Sequence, residues 1–592
     1  MFNFLTVLKR KRKFILILAV IFVLASWLRM YHLNSVPRGM HRDEGWFFYN
    51  AFLLNENGTN IYGQKWPLTV DFWGENVSAS HSYYGALILR IFGHNQFGFR
   101  MTTVTFSLLI LVLVSIWLYR LTGKEGVVIL AALLYAISPW NIVMTRASST
   151  MLIDILTMMV FGYIYYEGLR WFFNNKNWQF KNKVYLVLWL CLVYLLMIWC
   201  YLTYFSSRLL IFPLGIGIFL YVYSQSQKKS WKSWFLILPL IIYFLMPFLY
   251  FLNTPYARGR YDETKVINSD LSELIMAHSI NYAGQAQVPI WLTRVFFNKI
   301  TVNAYLLSQQ LISFFSPSVI MFATAPPQRY FTPYIGAVTW LEYLGFLAVL
   351  GVLFFAKKLK INGALPLFLL FLLGLSSAPA FLTIDDFPNF QRGVMMTPFW
   401  QTAAALGLFY VLENLPMKKY KNSLVVMATL SILIPFIFLY YKLSPYAEHT
   451  YRNEAEKEVA EWINAEAHES KILIEDTEYL FFYPLLLNEE NIFDYEIRRF
   501  DEVPQFVISD GFQIGQRLFV RNISGFNQDL YQYDPINEFE PDYIVAKIFE
   551  NSNLAKIPDS YSLIKNIYYD KHILAYQIYQ KGQEENLEIT EK

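Results

Sequence analysis

The chain is 592 residues long, 55% hydrophobic and only 16% charged, with a net charge of +4 and a mean hydropathy of +0.31. A soluble domain carries about a quarter charged residues, and cutting the chain into smaller globules would raise the demand for polar surface. The apolar content excludes disorder, two cysteines exclude a disulfide scaffold, and the near-balanced charge speaks against a nucleic-acid binder. What remains is an α-helical polytopic membrane protein. Its 18% aromatic content suits membrane interfaces, where Tyr and Trp gather.

Eleven apolar segments each approach the ~20 residues that cross ~30 Å of hydrocarbon. They are 14–31, 101–119, 127–143, 150–168, 184–204, 209–224, 234–252, 336–356, 364–381, 398–412 and 422–441. The pair 127–143 and 150–168 is expected to be joined by a short break at Ser138-Pro139-Trp140. Lys9-Arg10-Lys11-Arg12-Lys13 precede the first segment without a signal-cleavage site, so that segment is read as retained. With eleven spans, this cluster and the later ones fall on one side: Arg120 and Lys124; Arg170, Lys176, Lys181 and Lys183; Lys228, Lys229 and Lys232; Lys357, Lys358 and Lys360; Lys418, Lys419 and Lys421. The positive-inside rule makes that side the cytoplasm. The expectation is a multi-pass plasma-membrane protein with its N-terminus inside and its C-terminal domain outside. Cys191 and Cys200 lie in one span, nine residues and thus opposite faces apart, and read as apolar fillers.

Three outer segments are too long to be mere connectors: 32–100, 253–335 and 442–592. The chain therefore divides into a transmembrane domain, 1–441, and an extracytoplasmic α/β domain, 442–592. In the latter, 451–467 has helical spacing and 471–475, 543–548 and 572–579 read as strands. It has no glycine-rich phosphate loop and no metal-spaced His or Cys cluster, which favours a docking or acceptor-handling role. The spans are nearly free of charge and the charges gather at their outer ends, favouring a site at the outer face over a conduction path.

The most informative stretch is Arg38-Gly39-Met40-His41-Arg42-Asp43-Glu44-Gly45-Trp46-Phe47, just beyond the first span. Two adjacent carboxylates near an apolar surface are costly unless they are used or paired. A single one beside an activated sugar can serve as general base on an acceptor hydroxyl. The plain alternative is a solvated pair bridged to Arg42 or Arg38.

At this point the chain resembles the lipid-dependent glycosyltransferases of the GT-C fold. These include the protein O-mannosyltransferases, the aminoarabinose transferases that modify lipid A, and the Rgt-like galacturonosyltransferases. Over roughly the first 410 residues the carriers are Arg29, Pro37, Asp43-Glu44, Asn50 to Leu54 with Gly58, Ser82 to Gly93, and Arg100. Ser138-Pro139-Trp140 then leads to Arg146 and Asp154, and Ser376 to Leu382 precede Asn389 to Arg392 and Pro398.

The resemblance implies inverting transfer of a sugar from a polyprenyl-phosphate donor at the outer membrane face. Asp43 matches the catalytic acidic position and would deprotonate the acceptor; Glu44 would orient the site, with Arg42 beside it. The lipid-phosphate leaving group calls for cations, and Arg is suited to bind it in bidentate fashion. Arg146, Arg208, Arg258, Arg260, Lys299, Arg329 and Arg392 stand near outer span ends, with Arg258, Arg260 and Arg392 the first choices. Each could equally anchor a headgroup, and Arg146 and Asp154 could form a structural pair. His81 falls where some relatives face substrate, and Tyr83 and Tyr84 could line a sugar pocket or serve as interface aromatics. No cofactor is assigned. Some relatives hold a divalent cation, and His41, His81, Glu75 and His278 could make such a site, but their spacing matches no metal motif. The partners implied are the polyprenyl-phosphate sugar, membrane lipids and an acceptor lipid, glycan or protein, with no nucleic acid.

This chain departs from the mannosyl and aminoarabinose branches in having fewer spans, and 253–335 shows no barrel-type insert. Two rivals stay open. A lipid-linked polysaccharide polymerase or ligase would rely on loop arginines and a histidine without the early acidic pair. A lipid-linked sugar flippase or transporter would not make glycosidic bonds.

Overall fold

The computed structural model describes residues 11–60, 64–72, 75–175, 180–227, 231–253, 265–267, 269–322, 330, 332, 334–358, 363–383, 387–416, 418–447, 452, 454–467, 469–476, 512–514, 518–522, 540–548, 557–569 and 573–582. The chain divides into two compact units. One holds Met1–Leu33, Asp71–His81 and Arg100–Ala447; the other holds Asn34–Val70, Ser82–Phe99 and Glu448–Lys592.

Among the described residues, nine helices are long and apolar enough to cross a membrane, making this a multi-pass membrane protein. They are Arg12–Met30, Gln96–Thr122, Met151–Asn174, Phe180–Tyr201, Phe205–Gln225, Ser233–Asn253, Ala364–Phe381, Phe390–Asn414 and Lys421–Ala447. A tenth candidate, Glu125–Ile137 with Pro139–Arg146, is bent by 50°, and Trp340–Phe354 is a shorter apolar helix. Each of the eleven apolar segments thus meets one of these elements. The break at Ser138 falls inside 127–143 and not between that segment and the next. Its cause is local: Pro139 opens the second half-helix and pushes Ser138 to an extended φ/ψ of −61°/119°.

Two buried arginines tie this break to the first span. Arg29 donates to the carbonyls of Ala136 and Tyr135 at 3.1 Å each, the last turn of Glu125–Ile137. Arg146 donates to the carbonyls of Leu28 at 3.3 Å and Arg29 at 2.9 Å, the last turn of Arg12–Met30. Helix ends leave such carbonyls without intrahelical partners, and a cation there answers both the hydrogen bond and the dipole.

The segment between Ser233–Asn253 and Trp340–Phe354 is helical where it is described: Asp270–Gln285, Ile290–Phe296, Lys299–Phe315 and Pro317–Ile320. It has a small core of its own, Val266, Val302 and Leu306, packed by Ile275, Met276 and Leu307.

The strands β1 Thr69–Phe72 and β2 Glu75–Ser78 form a two-stranded sheet. The second unit contains the helix Arg42–Glu56, most of the helix Ser80–Phe92, the helix Glu454–Glu466 and the strands β3 Ile472–Asp476, β4 Phe512–Ile514, β5 Leu518–Asn522, β6 Tyr543–Lys547, β7 Tyr561–Tyr568 and β8 Leu574–Lys581. These six form a mixed sheet of order β4-β5-β3-β6-β8-β7. β3 runs parallel to β5 and β6, and the other pairings are antiparallel. The expected helix and three expected strands are present. β4, β5 and β7 were not expected; most of β7 is exposed, so the sequence there has no apolar alternation to read. Glu456, buried on the helix, accepts from Lys547 Nζ and the Tyr576 hydroxyl, both at 3.0 Å, which clamps helix to sheet.

Candidate active site

The acidic pair opens the helix Arg42–Glu56. His41 is its N-cap, with Nδ1 accepting from the Asp43 N–H at 3.1 Å. Carboxylates in a first helical turn are favoured by the helix dipole. The helical rotation then sends the two neighbours apart. The Glu44 side chain is 1% exposed and accepts from Arg452 Nη2 at 2.6 Å, the guanidinium being wholly buried. Asp43 is 24% exposed. The Arg452 Nε also donates to the Arg38 carbonyl at 3.2 Å, and Arg38 itself faces Glu454 at 3.5 Å. The partners Arg42 and Arg38 expected for the pair are thus replaced, for Glu44, by Arg452. Nothing in the sequence links position 452 to position 44. The nearest signal is Gly39, whose φ of +60° and close approach to the Arg452 carbonyl, 2.1 Å from an added Cβ, leave no room for a side chain. Arg42 is in the first turn, but its side chain lies outside the described residues.

The helix Ser80–Phe92 carries His81, Tyr83 and Tyr84. His81 is 3% exposed, and loss of hydration pushes its imidazole down to about 3, so it is neutral at any ordinary pH. Tyr83 donates to the Pro67 carbonyl at 2.9 Å and stacks parallel to Trp66 with centroids 6.4 Å apart. Burial raises its phenol above the usual range. Tyr84 is partly exposed.

In the first unit, Asp154 is fully buried, and its Oδ1 accepts from the Thr203 hydroxyl at 2.5 Å. Its partner is therefore Thr203 and not Arg146. Arg146 also donates to the His32 carbonyl at 3.1 Å and lies against the rings of Tyr441 and Tyr440, at 4.9 and 5.7 Å. This wholly buried group caps the first span. Arg208 is stacked on Phe205 and Tyr201, at 4.6 and 4.8 Å.

Arg392 has a different setting. Asn389 caps its short helix, accepting from the Arg392 N–H at 2.9 Å. It borders a cleft walled by Tyr204, Phe205, Leu209, Leu210, Ala378, Pro379 and Leu382, with Ser206 and Thr383. Among the described residues, Arg392 is the one charged residue lining it. Arg258, Arg260 and Arg329 lie outside the described residues. Among the described residues no group of three His, Cys, Asp or Glu side chains is placed to hold a metal ion.

No family model and no curated protein matches the sequence. Solved structures do. The chain is similar to the oligosaccharyltransferase AglB from Archaeoglobus fulgidus, in complex with an inhibitory peptide and a dolichol-phosphate, at 12% identity and a TM-score of 0.45 over 91% of this chain and 70% of that one. It is similar to apo ArnT from Cupriavidus metallidurans at 11% identity and 0.48, covering 95% and 97%. For ArnT bound to undecaprenyl phosphate the values are 11%, 0.49, 96% and 98%. At such identities none of them assigns a role to a residue of this chain.

Proposed function

We propose that the protein is an inverting glycosyltransferase that takes a sugar from a polyprenyl-phosphate donor and passes it to an acceptor hydroxyl at the outer membrane face. The observation that carries this reading is the cleft at Arg392: among the described residues, apolar walls from membrane helices beside one cation match the chemistry of an isoprenoid chain ending in a phosphate. Asp43 supports it, because it is the carboxylate of the pair that keeps contact with solvent while Glu44 is buried against Arg452.

In this reading Asp43 takes the acceptor proton as the acceptor oxygen bonds to the anomeric carbon. The bond from that carbon to the phosphate oxygen breaks on the opposite face, and the released phosphate keeps the electron pair. Its charge calls for a cation and no proton donor, and within the first unit the cleft at Arg392 offers one. Glu44 and Arg452 hold the first turn that presents Asp43. Sugar and acceptor are set by pocket hydrogen bonds, and the second unit is the place to look for acceptor selection.

The test uses purified protein in lipid nanodiscs with a panel of polyprenyl-phosphate sugars, following release of polyprenyl phosphate. Wild type releases it with at least one donor, and Asp43→Asn lowers the rate at least ~100-fold, the scale of a lost general base. Undiminished release by Asp43→Asn would remove Asp43 from the chemistry. No release with any donor, while labelled lipid still crosses the bilayer, would replace the transferase with a transporter.

A further inference from the structure

The segment from 274 to 341 contains no Asp or Glu, and its only Lys and Arg residues are Arg294, Lys299 and Arg329. A stretch of this length standing in water would carry about a quarter charged residues. The core of its helices is already supplied by Val302, Leu306 and their neighbours. Yet at one end a run of large apolar side chains points outward: Trp291 is 67% exposed, Val295 55%, Phe296 64%, Phe297 41% and Ile300 82%. Contiguous exposed apolar surface of this kind marks an interaction site.

These side chains sit on a rigid corner between Ile290–Phe296 and Lys299–Phe315, and Asn298 builds it. Its Nδ2 donates to the carbonyls of Arg294 at 3.0 Å and Val295 at 3.3 Å, closing the first helix. Its Oδ1 accepts from the N–H groups of Ile300 at 2.9 Å and Thr301 at 3.1 Å, opening the second. The Thr301 hydroxyl completes a capping box by accepting from the Asn298 N–H at 3.0 Å. Most backbone groups at the turn are therefore satisfied from within, which eases the passage of irregular backbone out of water.

We propose that residues 288–300 form a wedge seated in the interfacial layer of the lipid bilayer. Trp291 and the two phenylalanines enter the acyl boundary, while Arg294 and Lys299 meet lipid phosphates. Lipid is the occupant for two reasons. The patch belongs to the unit whose spans already face lipid, and its charges are of one sign, complementary to anionic headgroups. A protein partner would be offered no acidic residue with which to set register. The wedge converts what the sequence presents as an outer loop into a second, monotopic attachment to the membrane.

The experiment places an environment-sensitive fluorophore on Trp291→Cys or Phe296→Cys in a Cys191→Ser/Cys200→Ala background, reconstituted in vesicles of phosphatidylglycerol and phosphatidylcholine. Leu195→Cys, 63% exposed on the span Phe180–Tyr201, is the lipid-facing control. Glu461→Cys, 67% exposed on the second unit's helix, is the aqueous one. Nitroxide lipids should quench positions 291 and 296 at least half as strongly as 195, and iodide should spare them. Arg294→Glu/Lys299→Glu should lower that quenching at least twofold in anionic vesicles and little in pure phosphatidylcholine. If 291 and 296 behave like 461, the patch stands in water for a protein partner or a second copy, and the proposal fails. Equal effects of the double substitution in both lipids would overturn the headgroup contact. The readout needs no turnover, so it stands or falls apart from the glycosyltransferase reading.

Discussion

Arg29 and Arg146 cross-link the first span and the broken span. Arg29 holds the end of the half-helix Glu125–Ile137 at Tyr135 and Ala136 as well as its own helix at Ala25, and Arg146, on the following half-helix, holds the end of the first span at Leu28 and Arg29. The clamp fixes a broken span against the first span with no acidic side chain in these contacts. Arg146→Met should therefore lower thermal stability in detergent by roughly 3 kcal/mol or more, since each lost charge-assisted bond contributes ~1.5–3 kcal/mol. Arg146→Lys should rescue little, because one ammonium cannot serve carbonyls along both arms of a guanidinium.

The acidic pair should split by phenotype. Asp43→Asn should stop turnover and leave the melting temperature within about a degree of wild type. Glu44→Gln and Arg452→Met should each destabilise by about 3–5 kcal/mol, the consequence of stranding one buried charge. The double variant should lose less than the sum, read from a double-mutant cycle of unfolding free energies.

Arg392 should govern the donor. Arg392→Met should raise the KM for the polyprenyl-phosphate sugar or lower the rate of release by about 10- to 100-fold, as expected for a lost charge-assisted contact to phosphate. Saturation kinetics over a donor series measure it. An acceptor dependence left unchanged would place the effect at the phosphate.

His81 sets an acid limit on stability. Its folded value is about 3 against 6.5 when free, so the unfolded chain binds the proton first. Its contribution is whole above pH 6.5 and declines as pH falls from there towards 3, by up to ~1.4 kcal/mol per pH unit. His81→Asn should flatten that limb in melting curves taken from pH 7.5 to 4.5.

Gly39→Ala should act at a distance from position 39. The new methyl would meet the Arg452 carbonyl, and the φ of +60° disfavours any side chain. The expected loss resembles that of Arg452→Met and is measured in the same unfolding assay.

The spans were legible because length and hydropathy report directly on a bilayer. The break at Ser138-Pro139 was also legible, because proline acts on its own neighbour, but it was placed between two spans and it bends one of them. The tail helix was legible from its spacing, whereas β7 was not, since a mostly exposed strand shows no alternation. In the candidate site, the resemblance set Asp43 apart from Glu44 by role, but the sequence did not show which of the two is buried. Which one is buried depends on Arg452, and pairing across hundreds of residues leaves no local trace. Arg146 and Arg392 look alike as arginines near span ends. Only the contacts separate a helix cap from a residue bordering a cleft. The segment 253–335 reads as an outer segment too long for a connector, and its helices, where described, were not read because no local spacing was weighed there.

The Glu44–Arg452 pair joins positions 408 residues apart. A ribosome delivers the carboxylate first and its guanidinium only after every span has been made. Through that interval Glu44 is a charge kept from settling into its dry site. Burial of the helix start that presents Asp43 is thereby deferred until synthesis is nearly complete. A chain that stops before 452 lacks the guanidinium against which Glu44 is buried.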